Sequence, residues 1–528
     1  MNALIHCGTR FLVLVAMAIA SASAQACVDL KNGNFVARYA DIGDEKSSMV
    51  PKIERLYDSR NRSKGMFGWG WLGSYESRLA FASDGSIVLV AMNCNLKNVF
   101  RAESSTAAAS IRRNDRTGDS AAITNATAAD IADGTRLISS QFHYQSILKT
   151  RNGYIHARGD GNSDIYDTIG RLQRMQDRSG NWIQFSYGVD GRLELVRNNL
   201  GRAVTYRYNA RGLVESIETD RHKRAEYRYN DADELVETIG ANGQVLKFGY
   251  DGGHQHKIQT IATDDGSVLA IVYDDQEPGG KVRKVTQDLN TTSYRYELDA
   301  ANPDHRTTSF TVNSPAGEQI SGGRNEYFMR RNRDGEEWVE RMIAVLDGIT
   351  TETTYNECCW LPVQIVTSAG QTSFEYDSYG RVTRKETPTE LILVAYDSKL
   401  GKVTRVLSMD KRRNELRWYR YLYDAAGNPV TVQDFSGADI ELAYGQYGWI
   451  ASMKDQQTGA LTRFAYNANG KPVRIAVRGL GVVTTAYDDD GEVLKVSGTG
   501  GRRAALQVTS IFGKLLSAIR PAEISLSF

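Results

Sequence analysis

Proline is scarce in this chain, 9 of 528 residues, and histidine and cysteine are scarcer, at 7 and 5. Net charge is nearly absent, with 64 Lys and Arg against 63 Asp and Glu. Without a field of one sign nothing gathers nucleic acid or an anionic bilayer, so no nucleic-acid partner is expected. No apolar run reaches the roughly 20 residues that a transmembrane helix needs, and no transmembrane segment is expected. Signatures of familiar chemistry are also missing. There is no Gly-x-Ser-x-Gly elbow, and neither Gly252-Gly253 nor Gly279-Gly280 is followed by the Lys-Ser/Thr of a phosphate loop. Paired carboxylates for glycoside chemistry cannot be told from ordinary turn residues among so many Asp. The expectation is a protein that is not an enzyme, with no catalytic residue, cofactor or metal.

What is present points to strands. A hydrophobic share of 41% with 24% charged belongs to a folded protein. Tyr at 27 exceeds Phe at 15, and Gly stands at 48, which fits many pleated strands separated by Gly and Asx turns. Tyr166, Tyr187, Tyr208, Tyr229 and Tyr250 recur every 21 residues, a fixed repeat that decides the architecture before any other signal. One unit reads as strand Leu172–Asp177, turn Arg178–Asn181, return strand Trp182–Tyr187 and turn Gly188–Gly191. Along the return strands Ile183, Phe185 and Tyr187 share a face, as do Val204, Tyr206 and Tyr208, Ala225, Tyr227 and Tyr229, and Leu246, Phe248 and Tyr250.

The interval stretches to 23 at Tyr273 and Tyr296. The copies then decay, and the degenerate units around Tyr327, Asp334-Gly335 and Tyr355 are expected to break or kink the sheet. They return at Tyr376, Tyr396, Tyr423, Tyr444, Tyr466 and Tyr487. The turn glycines Gly170, Gly191, Gly212, Gly380, Gly401, Gly427, Gly448, Gly470 and Gly491 mark positions of positive φ. Asp233 stands where one such Gly is missing, and Asp tolerates that conformation. Tyrosines and glycines alike are expected to be structural anchors.

These Tyr-Asp-x-x-Gly-Arg units resemble the YD repeats of the rearrangement-hotspot (Rhs) and teneurin family over residues 150–495. Asn32-Gly33-Asn34-Phe35, Leu56-Tyr57-Asp58-Ser59, Phe67-Gly68-Trp69-Gly70-Trp71 and Asp84-Gly85-Ser86 are similar to the segment that precedes the repeats in bacterial Rhs proteins. The resemblance implies an all-β fold, a long antiparallel strip of hairpins spiralling into a partial or closed shell. In bacterial toxins of the family the shell encloses a carboxy-terminal effector, and in teneurins it belongs to an adhesion ectodomain. This chain departs from the toxin pattern. No Arg-Tyr-Asp-Pro-like boundary box follows Tyr487 and no secretion-spike module is expected, while Gly498–Phe528 is short for a toxin domain.

Arg10, the apolar run Phe11–Ala20 and Ser21-Ala22-Ser23-Ala24 read as a signal peptide cut before Gln25, so a periplasmic, secreted or surface location is expected. A cut before Cys27 would make a lipid-anchored protein, but its box matches poorly. Cys27, Cys94, Cys358 and Cys359 then remain as possible disulfide partners, Cys27 with Cys94 and the adjacent pair as a strained bridge or two buried thiols. Phe67, Trp69 and Trp71 invite sugar stacking or, more simply, form an aromatic plug at one end of the scaffold. His254-Gln255-His256 reads as a turn before a metal site, and the Asp-Gly runs at Asp264–Gly266 and Asp488–Gly491 as turns before calcium loops. The expected organisation is a leader (1–24), an amino-terminal β segment (25–100), a variable insertion (101–149), YD repeats (150–300), degenerate repeats (301–370), YD repeats (371–497) and a tail (498–528). The expected function is an exported, non-enzymatic shell that binds a glycan, an envelope component or a protein. The rivals are a carrier or remnant of an Rhs polymorphic toxin, enclosing a small effector, and a glycosidase-type enzyme.

Overall fold

In the computed structural model the described residues are 24–43, 50–91, 98–102, 131–140, 142, 144–252, 255–274, 280–287, 289–332, 337–357, 359–468, 470–479, 481–488 and 493–499. They form strands and turns, without a helix among them. Strands are numbered in chain order, β1 to β42. A strip of 36 strands runs from β7 (Arg78–Phe81) to β42 (Val493–Gly498), each strand antiparallel to the next.

One repeat shows why this sequence makes this wall. In most units the residue after the tyrosine is Asp or Asn and caps the turn with its side chain, Gly188 and Gly445 being exceptions. Asp167 Oδ1 accepts the N–H of Ile169 and of Arg171, and Asn209 Oδ1 accepts those of Arg211 and Leu213. The turn glycine sits at positive φ, +85° at Gly170 and +79° at Gly212. Asp233 takes the same conformation, at +63°. The Arg after the glycine bonds back to the Asp, with Arg171 Nε 2.8 Å from Asp167 Oδ2, and lies over the next ring, 5.1 Å from the centroid of Tyr187.

The tyrosine hydroxyl completes the unit. Tyr187 donates to the Leu172 carbonyl, Tyr208 to Leu193, Tyr229 to Val214 and Tyr250 to Leu235, at 2.7–3.0 Å. Tyr376, Tyr396, Tyr423, Tyr444, Tyr466 and Tyr487 reach back to Pro362, Val382, Val403, Pro429, Ile450 and Pro472 in the same way. Each of these tyrosines also stands at a register shift, as between Ser186 and Tyr187. The bulge turns the ring toward the preceding unit, and phenylalanine there could not make the bond.

The first strands are arranged differently from the expected segments. β1 (Ala24–Asp29), β2 (Asn34–Ile42), β3 (Ile53–Asp58) and β6 (Trp71–Gly73) make a separate four-stranded sheet, with β4 (Lys64–Gly65) and β5 (Gly68–Trp69) as a small hairpin beside it. The strip already begins at Arg78, inside the 25–100 segment. It takes in β10 (Arg136–Ser139) and β11 (Ser146–Thr150), which 101–149 assigned to an insertion; residues 103–130 lie outside the described residues. The degenerate region does not break the sheet. It holds the two longest strands, β27 (Gln319–Arg331) and β28 (Glu337–Leu346), beside β26 (His305–Asn313), and their ladders run on through two bulges. Backbone pairing compensates there for the missing tyrosine hooks.

The strip curls back on itself. Arg78 forms an isolated bridge with Arg171, and the Leu79 N–H donates to the Gly170 carbonyl at 2.8 Å. Among the described residues no ladder joins β42 to β7, so closure rests on that bridge and not on an edge-to-edge pairing. A second contact lies where early turns meet late ones. Arg178 donates to the Leu400 carbonyl, Ser179 Oγ to Asn428 Oδ1 at 3.4 Å, and Asn181 Nδ2 to the Tyr447 carbonyl at 3.0 Å. Among the described residues this seam joins successive windings through turn tips.

Candidate functional site

The amino-terminal sheet is a plug inside the first winding. Backbone bonds fix it at intervals along the strip: Val214 N–H to the Met66 carbonyl, Ala241 N–H to Asp41 and Val282 N–H to Gly33. One core cluster contains plug residues such as Phe35, Tyr57 and Trp71 together with inward strip residues from Ile147 to Phe310. Trp71 Nε1 donates to Tyr250 Oη at 3.0 Å, Tyr57 Oη donates to the His256 carbonyl and accepts the Ile258 N–H, and Ser77 Oγ lies 2.8 Å from Tyr166 Oη. The rings of Tyr39 and Trp71 meet Phe248, and Phe67 meets Tyr227. The aromatic set of residues 67–71 therefore packs as a plug. Trp69 stacks flat on His256 at 4.5 Å, which takes that ring from a sugar-binding role.

At the centre of the plug Arg55 is fully buried. It donates to Asp41 through Nε at 2.5 Å and Nη2 at 3.0 Å, and its guanidinium lies 4.7 Å from the Trp71 ring centroid and 5.1 Å from that of Tyr39. Burial alone pulls its pKa down, but the Asp41 carboxylate outweighs that and holds the guanidinium charged. Glu76 is half-buried. Burial pushes its carboxyl up, against the N–H groups of Met66 and Gly73 that favour the anion.

Other anchors have their own partners. Tyr273 faces Ser59 of the plug, and burial pushes its phenol up. Of the pair read as a turn or metal site, His256 sets Nδ1 2.9 Å from Glu234 Oε1, while His254 lies outside the described residues. Among the described residues no three His, Cys, Asp or Glu gather as metal ligands. Cys27 and Cys359 are buried; Cys94 and Cys358, like Gly491 and the leader up to Ser23, lie outside the described residues. Cys27 sits within β1, opposite Val36, and a lipid anchor there would cost that strand its pairing.

Among the described residues, plug interactions reach as far as Glu337. Asp29 and Lys31 feel Tyr327 and Glu337, and the buried clusters beyond contain strip residues only: Ile365, Phe374 and Val382; Ile392, Val394 and Val406; Tyr421, Leu442 and Met453 with their neighbours.

A cavity of about 1020 Å³ lies between plug, first winding and seam. Its floor carries a polar cluster that no motif announced. His156 sets Nδ1 3.3 Å from Asp164 Oδ2 and Nε2 3.1 Å from Gln145 Oε1, Arg158 clamps Asp164 with two donors, and Asn98 Nδ2 donates to Gln145 at 2.8 Å. Burial raises the Asp164 carboxyl, but the bonds from His156 and Arg158 prevail and hold it below the usual carboxylate range. The only sequence signal was His156 and Asp164 on facing strands; they pair in register between β12 (Gly153–Ala157) and β13 (Ser163–Tyr166). At the mouth, Tyr144 fills the space where Gly159 lacks a Cβ and lies at van der Waals distance from where one would stand at Gly380.

A family model described as a domain of unknown function, DUF6531, matches residues 25–95, the plug and the first strands of the strip. That domain is found at the amino terminus of Rhs and YD-repeat proteins. No curated protein matches the chain. Among solved structures the chain is similar to TcdB2-TccC3 without its hypervariable carboxy-terminal region, at 11% identity and a TM-score of 0.45, over 90% of this chain and 28% of that one. It is also similar to a Photorhabdus luminescens Tc holotoxin pore, at 10% identity and a TM-score of 0.40, over 89% and 26%. The chain thus spans little more than a quarter of the length of the structures it matches.

Proposed function

We propose, from the premise that this chain is a YD-repeat protein of the Rhs type, that it is a non-catalytic shell whose unplugged windings receive a polypeptide guest. The observation behind this is the asymmetry of the inner wall. The plug occupies the strip as far as Glu337, and from Phe374 to Phe464 the inward residues have no counterpart of it among the described residues. Inward apolar side chains with no plug over them, of which Phe464 is only partly buried, are what an extended or partly folded segment needs for docking. The cavity is too small for a folded effector, since volumes of about 300–1000 Å³ suit small ligands, so the guest contact would lie along the later windings.

A catalytic role receives no support from the polar cluster. Asp164 is committed to Arg158 and His156, and an acid held ionised donates no proton to a leaving group. The leader and an exported location belong to this same reading.

Co-expression with the small open reading frames beside its gene tests it. The expected result is a co-purifying polypeptide protected from protease, lost in Leu442→Asp and Phe464→Asp and retained in Leu422→Asp, whose side chain is exposed. Protection that survives both inner-wall changes would sink the reading. A second reading, binding of a glycan or envelope component, is favoured by one observation, the ring- and cation-lined cavity at the seam.

A further inference from the structure

Several charged groups around the cavity already have partners. Arg158 is held by Asp164, and Arg381 by Asp377 at 2.6 Å. Arg178 and Lys399 differ. Both line the cavity, Arg178 donates to the Leu400 carbonyl, and among the described residues neither has a carboxylate within ion-pair distance. Nearby Lys402 has its amine pulled down, first by burial and then by Arg178, with Asp160 opposing. The Asp397 carboxyl is held down by the Leu400 and Lys399 N–H groups and in part by the charges of Lys399 and Arg178, so that three cations meet two carboxylates here. The seam therefore offers a place for one negative charge.

The walls offer flat rings. Tyr144 is wedged between the glycine turns of two windings, Trp360 lies in the wall, and Tyr379 is half exposed with the Arg381 guanidinium 4.8 Å from its centroid. Such rings bury apolar ring faces well. The floor adds acceptors and donors together in Gln145, Asp160 and Ser77. These groups already have partners in His156, Asn98, Tyr166 and Asn162, but a purely apolar ligand would strip water from Arg178 and Lys399 and replace none of it, at a desolvation cost. A phosphate dianion would face Asp160 and Asp164 without a nest of backbone N–H groups to offset them. One carboxylate on a hydroxylated ring uses every feature: charge against Arg178 and Lys399, ring face against Tyr379 or Tyr144, hydroxyls against the floor.

We propose that the seam cavity binds an acidic sugar of the uronate class. It rests on the second reading above and is independent of a polypeptide guest.

Calorimetric titration of the full chain with digalacturonate tests it, with galactobiose and uridine monophosphate as comparison arms. Saturable one-to-one binding of digalacturonate is expected, with galactobiose weaker by about tenfold, the effect of losing one charge-assisted contact. Arg178→Gln should weaken digalacturonate by about tenfold and the exposed Lys399→Gln by about threefold. Ser179→Ala alters the seam without touching charge, and should leave affinity unchanged. The proposal is overturned if digalacturonate does not saturate, if galactobiose binds equally, if uridine monophosphate binds more tightly, or if both charge variants bind like the parent. A loss in Ser179→Ala equal to that in Arg178→Gln would also overturn it, because seam loosening would then explain the effect.

Discussion

The plugged and unplugged windings are written in the same repeat and differ in what covers their inward residues. At the position two before the tyrosine, Phe185, Tyr206, Tyr227 and Phe248 are at most 5% exposed, and three of them meet the plug rings Tyr75, Phe67 and Trp71. The corresponding Phe374, Val394, Tyr421 and Leu442 are 3–6% exposed with strip residues alone around them, and only Phe464 and Thr485 of β39 (Leu461–Tyr466) and β41 (Gly481–Tyr487) are partly buried. The hydroxyl hooks and the turn geometry are nevertheless the same in both. The repeat specifies a wall, and what the wall encloses is specified elsewhere.

The comparison can be broken hardest at its centre. Arg55→Met leaves Asp41 buried without its partner and should cost about 3–5 kcal/mol, seen as early denaturant unfolding of the plugged windings; a loss under 1 kcal/mol would mean that the plug is not their core. Trp71→Ala should cost about 3–5 kcal/mol, whereas Phe464→Ala, partly exposed, should cost about 1 kcal/mol. Equal losses would erase the distinction between the two regions. Gly191→Ala and Gly401→Ala place a side chain at φ of +79° and +65° and should each cost about 1–2 kcal/mol, with no difference between regions. Tyr208→Phe and Tyr466→Phe each remove one hook, about 1 kcal/mol in either half, and a plug-dependent difference would show that the hook is not part of the repeat itself.

The smallest effect is pH-dependent. Asp164, depressed, contributes stability that is present above its unfolded value near 3.8 and lost as pH falls through its lower folded value. Glu76, raised by burial, contributes the opposite, present below about 4.5 and lost as pH rises through its folded value. Hydrogen exchange, corrected for intrinsic rates, should show the Gly153–Tyr166 hairpin loosening on acidification before residues 66–76. The reverse order would refute the assignment.

The wall was legible because a period-two face and a 21-residue interval are repeated constraints, and each copy corroborates the next. Even the exception at Asp233 followed from backbone sterics. The plug was legible only in part. Phe67, Trp69 and Trp71 suggested it, but its separation as a sheet depends on partners some 200 residues away, such as Trp71 on Tyr250. Arg55 carried a usable signal, since strand alternation puts it on the face of Ile53 and Tyr57, where a charge needs a buried partner. The seam and its polar floor are made of single residues brought together by curvature, and no local pattern encodes them.

One property of the tyrosine hooks bears on how such a chain is made. In every hooked unit the bond runs to a carbonyl 14–20 residues earlier, never forward. A unit's ring is thus satisfied by chain that already exists, and no unit waits for its successor. For a polypeptide that emerges amino terminus first, with the plug leading, the strip can be stitched one hairpin at a time onto a finished edge. Growth of the wall is vectorial, and its direction is set by which way a hydroxyl points.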